Sequence, residues 1–121
     1  HDEVGDQPQV NQIVIHSMED LAYLIEGLKA VPEGEGSLLD NTAILATSDV
    51  SYGRTHQIDE FPIILAGRCG GALKTGFHYR SETRANASAI PLSIVRAMGM
   101  TEASYGAEDA FTESGLPEIE A

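Results

Sequence analysis

Positively charged residues are scarce in this sequence. Its 121 residues include seven Lys and Arg against nineteen Asp and Glu, which gives a formal net charge of −12. A surface with this excess of negative charge repels phosphate backbones and anionic membranes, so we expect no nucleic-acid partner. Much of the acid lies at the two ends of the chain, and about 101–121 is predicted to form an acidic tail with little apolar periodicity.

Cysteine and long apolar runs are also nearly absent. Cys69 is the one cysteine, which excludes a disulfide bond within the chain. No apolar run approaches the roughly 20 residues that cross a bilayer, so we expect no membrane span. The length suits one small domain. The elements described next indicate either a single domain over 1–121 or a fragment of a larger α/β domain.

Two short apolar runs form the centre of the predicted fold. Thr42–Thr47 and Pro62–Ala66 are β-prone, and their near-continuous apolar character is typical of strands buried on both faces of an α/β sheet. We predict that they are neighbouring strands of one sheet. Phe77–Arg80 fits a short third strand, or one arm of a hairpin with Ala72–Lys74.

A long amphipathic helix is predicted before these strands. Apolar residues recur at steps of three and four from Val10 to Leu28, which is the period of a helix with one apolar face. Its start is open between Pro8, because proline is favoured in a first turn, and Ser17, whose spacing to Asp20 resembles a capping box.

A shorter helix is predicted near the C-terminus, from Pro91 to about Met98, with Gly99 at its end. We expect the Leu21–Leu28 part of the first helix to pack across a face of the sheet. So few elements barely cover a sheet that is buried on both sides. We therefore expect another polypeptide, or a second copy of the chain, to complete it.

Asp49 and His56 are the first candidates for chemistry. Asp49 directly follows the first predicted strand and His56 lies in the loop after it, and ligands of open α/β sheets gather at such strand ends. A carboxylate and an imidazole suit a zinc-like ion, but a catalytic zinc usually takes three protein ligands. The pair is equally compatible with an aspartate that caps a turn and a histidine that is simply polar.

The glycine-rich segment Gly67–Gly71, followed by Lys74, leaves two interpretations open. Its backbone N–H groups and the lysine suit an anion, or the glycines serve backbone geometry alone. The segment matches neither the Walker loop nor the dinucleotide-binding fingerprint.

Several blocks of the sequence resemble one known family. The blocks are LAYLIEGLKAVPEGEGSLLDNT, EFPIILAGRCGGALKTGFHYR and PLSIVRAMGM. They are similar to a secreted bacterial family of unknown function, named for its HXXSHH motif and distantly similar to the alkaline phosphatase and sulfatase superfamily. The resemblance covers nearly the whole chain. It implies part of an alkaline-phosphatase-like sheet flanked by helices, in the C-terminal part of a longer protein that is secreted or in the cell envelope.

The resemblance also implies a metal site that has lost ligands. Asp49 matches the superfamily's carboxylate and His56 matches its later histidine, whereas Val50 stands where a second ligand of the pair would be. The HXXSHH motif aligns with His1–Asp6, in which only His1 is retained. The implied ligand set is therefore Asp49, His56 and His1, and the superfamily's nucleophile would lie upstream.

Two functions from different classes follow from this resemblance. The first is a non-catalytic structural or interaction module of a secreted or cell-envelope protein, with a degraded metal site and no cofactor. The second is a metal-dependent hydrolase of phosphate or sulfate esters, of which this chain is the C-terminal part, with zinc or a similar divalent ion. The altered motif and the strong acidity favour the first.

Overall fold

The computed structural model describes residues 5–121. The strands form two antiparallel sheets of two strands each, β1 with β2 and β3 with β4. This part of the chain is a mixed fold of helices and small antiparallel sheets, which agrees with the predicted α/β class at that coarse level. The elements are α1 (Pro8–Ala30), β1 (Pro32–Glu33), β2 (Gly36–Ser37), β3 (Ile44–Thr47), β4 (Ile63–Ala66) and α2 (Ala89–Ala97).

The two central strands are neighbours, as predicted. Ile44 of β3 lies opposite Ala66 of β4, and the register continues along both strands. The prediction of burial on both faces is wrong, because no residue of either strand is fully buried. Leu45 on one face and Ile64 on the other are 41% and 40% exposed. Both faces of the β3–β4 sheet are therefore partly open to solvent.

Helix α1 begins at Pro8, the earlier of the two predicted starts. Ser17 lies inside the helix, where its hydroxyl donates to the carbonyl oxygen of Ile13 at 3.0 Å instead of capping a new N-terminus. The helix ends at Ala30, and Pro32 has no N–H with which to continue the ladder. No helix in the described part of the chain is long and apolar enough to span a membrane.

The packing predicted for α1 is wrong. No residue of this helix is buried, and the strand it contacts most is β2 rather than the β3–β4 sheet. The physical reason is that strands of four residues offer a sheet face too small to cover a helix of 23 residues. The apolar core of the described residues forms elsewhere.

The core lies between α2 and the C-terminal segment. Leu65 of β4 and Ile90 of α2 pack against its edge. Helix α2 was predicted within about two residues of its observed bounds, and it ends in a Schellman motif. Gly99, at φ 86°, donates its N–H to the carbonyl of Arg96 at 2.9 Å. The buried apolar residues are Leu73, Ala89, Leu92, Leu116 and Ile119.

The acidic segment 101–121 is bound to α2 by polar contacts. The Arg96 guanidinium donates to the carbonyl oxygens of Glu102, Ala103 and Glu113 at 2.9, 3.0 and 3.1 Å. Ser93, which is 1% exposed, links α2 to the chain end through Glu120. This segment therefore completes the fold, although its sequence carries no periodic apolar signal.

The segment after β4 forms neither of the two arrangements proposed from its sequence. Phe77–Arg80 has no regular structure. Leu73 forms an isolated antiparallel bridge with Glu120 instead of a hairpin with the aromatic segment. The Lys74 amide extends this pairing by donating to the carbonyl of Ile119 at 2.8 Å.

Candidate functional site

Asp49 and His56 lie in the same loop, between β3 and β4. Both residues are exposed. The base of the loop is closed by Ser51, whose amide and hydroxyl both donate to the Gln57 carbonyl, at 2.7 and 2.9 Å. His56 adopts a left-handed conformation, with φ 51°. Asp49 therefore lies just before this closed turn, and His56 lies within it.

No third ligand joins this pair within the described residues. Among residues 5–121, no group of three His, Cys, Asp or Glu side chains is placed to hold a metal ion. His1, the third member of the predicted set, lies outside the described residues. Asp49, His56 and His1 therefore stay a prediction as metal ligands.

The N-terminal end of α1 approaches the tip of this same loop. Asp6, Gln7 and Val10 line a shallow depression of about 640 Å³ together with Gly53 and Arg54. Asp6 thus folds back towards the loop that carries His56. The lining includes one acidic side chain, Asp6, and one basic side chain, Arg54.

The glycine-rich segment after β4 uses its backbone groups within the fold. The amide of Cys69 donates to the Thr42 carbonyl at 3.1 Å, and the amide of Gly70 donates to the Asp40 carbonyl at 2.8 Å. Gly67 has φ 84°, and a Cβ there would overlap the carbonyl oxygen of Thr42. These contacts support the interpretation that the glycines serve backbone geometry, because the N–H groups of Cys69 and Gly70 already have acceptors.

Helix α1 has an exposed apolar face. On an ideal helix eight of its apolar residues between Val10 and Leu28 span an arc of about 140°, with the acidic residues and Ile15 outside that arc. Five of them are between 44% and 64% exposed: Val10, Ile13, Val14, Met18 and Leu24. The periodicity in the sequence identified this face correctly. Leu21, Ile25 and Leu28 on the same face are partly covered, but no residue of the face is buried.

A second concavity in the described part of the chain is a groove of about 920 Å³, here called the β4 groove. One wall is the edge of β4 with Phe61, the other is 74–81, and the start of α2 closes one end. Asp49 lies on its rim, so one predicted site residue belongs to it. Sequence reasoning missed the groove because 74–81 has no period that shows where it runs.

The outer wall of the β4 groove is held by two polar contacts. The Arg80 guanidinium donates to Glu60 at 2.7 Å, and the Tyr79 hydroxyl donates to Glu118 at 3.2 Å. The hydrogen bond and the charge of Arg80 lower the pKa of Glu60, and the same hydrogen bond raises the pKa of Arg80. Because the side chains of Arg80 and Glu60 are both exposed, water screens the attraction between their charges, and this ion pair stabilises the wall only weakly.

Ser37 and Asp40 form a comparable local contact beside β2. The side-chain hydroxyl and the amide of Ser37 both donate to Asp40, at 2.7 and 2.9 Å. These hydrogen bonds lower the pKa of Asp40. The carboxylate therefore stabilises the turn that follows the β1–β2 hairpin and belongs to neither concavity.

Comparison with known proteins found no relative of this chain. No family model, no curated protein and no solved structure matches the chain.

Proposed function

We propose that this chain is a non-catalytic structural or interaction module of a secreted or cell-envelope protein. The module binds a polypeptide segment from outside this chain through the apolar face of α1. The resemblance described above supports the location, and it supports a larger alkaline-phosphatase-like sheet to which β3 and β4 belong. The observation that carries the interaction role is the exposure of α1.

The exposed face of α1 has a substantial energetic consequence. Most of the stability of a protein helix comes from packing its amphipathic face, yet α1 has 23 residues and none of them is buried. Covering the five half-exposed apolar side chains would contribute about 1 kcal/mol each, or about 5 kcal/mol together. That is comparable with the whole stability of a small domain, about 5–15 kcal/mol.

The charge of the chain selects the kind of occupant. A second copy would bring a further net charge of −12 to the complex. Repulsion between two acidic chains opposes their association, and it favours a partner that is neutral or basic around an apolar surface. The occupant is therefore a different polypeptide segment, with an apolar stripe that matches α1.

A photo-crosslinking amino acid at Ile13 tests this function in the natural protein, expressed in its own cells. Ile13 is 64% exposed and lies on the apolar arc, whereas Gln12 points away from it and serves as the matched control. We expect crosslinks from position 13, and not from position 12, to mapped residues outside this chain.

Two results would contradict the proposed function. One is a pattern of crosslinks from position 13 that all map to a second copy of the chain. The other is an isolated chain that sediments as a monomer and melts in one sharp cooperative transition, because a self-sufficient fold does not need a partner on α1.

A further inference from the structure

The β4 groove runs along the edge of a strand. Successive side chains of a strand point to opposite faces, so a groove over one face contacts alternate residues. Here the consecutive residues Ile63, Ile64 and Leu65 all line it, and no residue of β3 does. The groove therefore follows the side of β4 that is turned away from β3.

The backbone of that edge has no partner strand in the described part of the chain. The strand pairing of β4 there is with β3, and no other backbone hydrogen bond between residues 5–121 involves Ile63–Ala66. An isolated pair of strands is marginal in water. Native proteins usually protect such an edge with a charge, a proline or a covering element, and the segment Ile-Ile-Leu-Ala carries neither a charge nor a proline.

Exposed apolar side chains line the groove without closing it. Phe77 is 50% exposed and Ile58 is 72% exposed, and both line the groove with Phe61. A strand laid along β4 would direct every second side chain towards one face of the sheet. Aliphatic residues at alternate positions would then contact these apolar side chains.

The charges around the groove select a basic occupant. The lining of the groove includes three acidic residues, Asp49, Glu60 and Asp109, and two basic residues, Lys74 and Arg80. Arg80 already pairs with Glu60 at 2.7 Å, which leaves two carboxylates against one lysine. The net charge of −12 on the whole chain acts in the same direction.

We propose that the β4 groove binds an extended peptide segment of a partner protein, with alternating aliphatic side chains and Lys or Arg at its ends. The segment adds to β4 as a third, edge-paired strand. This inference rests on the proposed function as an interaction module, and it assigns to that module a second contact that is separate from α1.

A labelled synthetic peptide tests the inference by fluorescence anisotropy with the full chain. The probe is Lys-Val-Thr-Val-Thr-Val-Lys, and two derivatives carry N-methyl groups on one or the other set of alternate amides. A strand that pairs along one edge uses only one set. We expect one derivative to bind at least about tenfold more weakly and the other to bind within about twofold of the parent, because each lost backbone hydrogen bond costs roughly threefold to tenfold.

Variants of the protein locate the binding. Phe77→Ser should weaken binding of the parent peptide about tenfold. Tyr23→Ser should not change it, because Tyr23 is 80% exposed on α1 and does not line the groove. A peptide with Glu in place of both Lys should bind more weakly than the parent, and added salt should reduce the difference.

The inference is wrong if both N-methylated peptides bind like the parent, if both lose affinity equally, or if no peptide binds. Self-association of the chain that the peptide reverses would assign the edge to a second copy, and it would also overturn the inference. The proposed function is tested separately, because crosslinks from position 13 report on contacts of α1 and not on binding of the peptide. Retained crosslinks from α1 without peptide binding would reject the groove alone.

Discussion

Removing the Ser93 hydroxyl should weaken the attachment of the chain end, residues 116–121, to α2. The hydroxyl donates to Glu120 at 2.6 Å and accepts the Leu116 amide at 2.8 Å. Ser93 is 1% exposed, so water cannot easily replace either contact. Gly115 lies against the side chains of Ser93 and Glu120, and a Cβ there would overlap the Glu120 carboxylate. Ser93→Ala therefore removes both contacts and leaves the shape of the side chain almost unchanged.

The magnitude follows from what each partner loses. The Leu116 amide belongs to a buried residue, and leaving such a donor without an acceptor costs about 1–3 kcal/mol. The Glu120 carboxylate is only partly buried and keeps access to water, so its loss is smaller. We expect the free energy of opening of this segment to fall by about 2 kcal/mol, which corresponds to about thirtyfold faster amide exchange.

Native-state hydrogen exchange by NMR measures this opening directly. The reporters are the amides of Lys74 and Ala121, which donate to the carbonyls of Ile119 and Ala72 and do not contact Ser93. Ser88→Ala is the matched control, because Ser88 makes no side-chain capping hydrogen bond. Unchanged exchange of both reporters in Ser93→Ala would refute the claim that this hydroxyl holds the segment.

Two further predictions concern the glycine-rich segment and the metal. Gly67→Ala should lower the protection of the Cys69 amide by more than about 2 kcal/mol, because the left-handed backbone costs about 1–2 kcal/mol and the new Cβ would overlap the Thr42 carbonyl. Gly71→Ala also has a positive φ but meets no atom within 4 Å, so it should cost only about 1 kcal/mol, and equal losses would contradict the argument. Elemental analysis of protein purified without chelator should find no stoichiometric zinc, because the altered HXXSHH motif removes the third ligand. Zinc that is present at stoichiometry and lost in Asp49→Ala would restore the hydrolase hypothesis.

Local patterns predicted the elements well where one short segment contains all the information. The three- and four-residue spacing of apolar residues located α1, and the first-turn preference of proline included its observed start at Pro8. The two β-prone runs became the paired strands β3 and β4. A terminal glycine marked the end of α2 at Gly99.

The same patterns did not predict what each element packs against. The apolar stripe of α1 predicts a face turned to the sheet, but none of its residues is buried and five of them are between 44% and 64% exposed. The spacing of apolar residues shows that one side of a helix is apolar, but it does not show which surface covers that side. The apolar character of the β3–β4 strands had the same ambiguity, because it is compatible with burial by this chain or by another.

The candidate site was predictable only in part. Asp49 and His56 were placed correctly in one loop, because sequence neighbours in a short connection stay near each other. The β4 groove was not predicted, since its outer wall is the aperiodic stretch 74–81. Its position depends on the Arg80–Glu60 and Tyr79–Glu118 contacts.

The helical and extended segments and the strong negative charge could be predicted from the sequence alone, because they depend on neighbouring residues and on composition. The position of the core depends on tertiary contacts. Leu116 and Ile119 come from an acidic stretch without periodicity, and they are buried because contacts distant in sequence hold that stretch on α2. The Ser93–Glu120 hydrogen bond joins residues 27 positions apart. Such a pairing leaves no local pattern, because its stabilisation arises only when the chain has already brought both partners together.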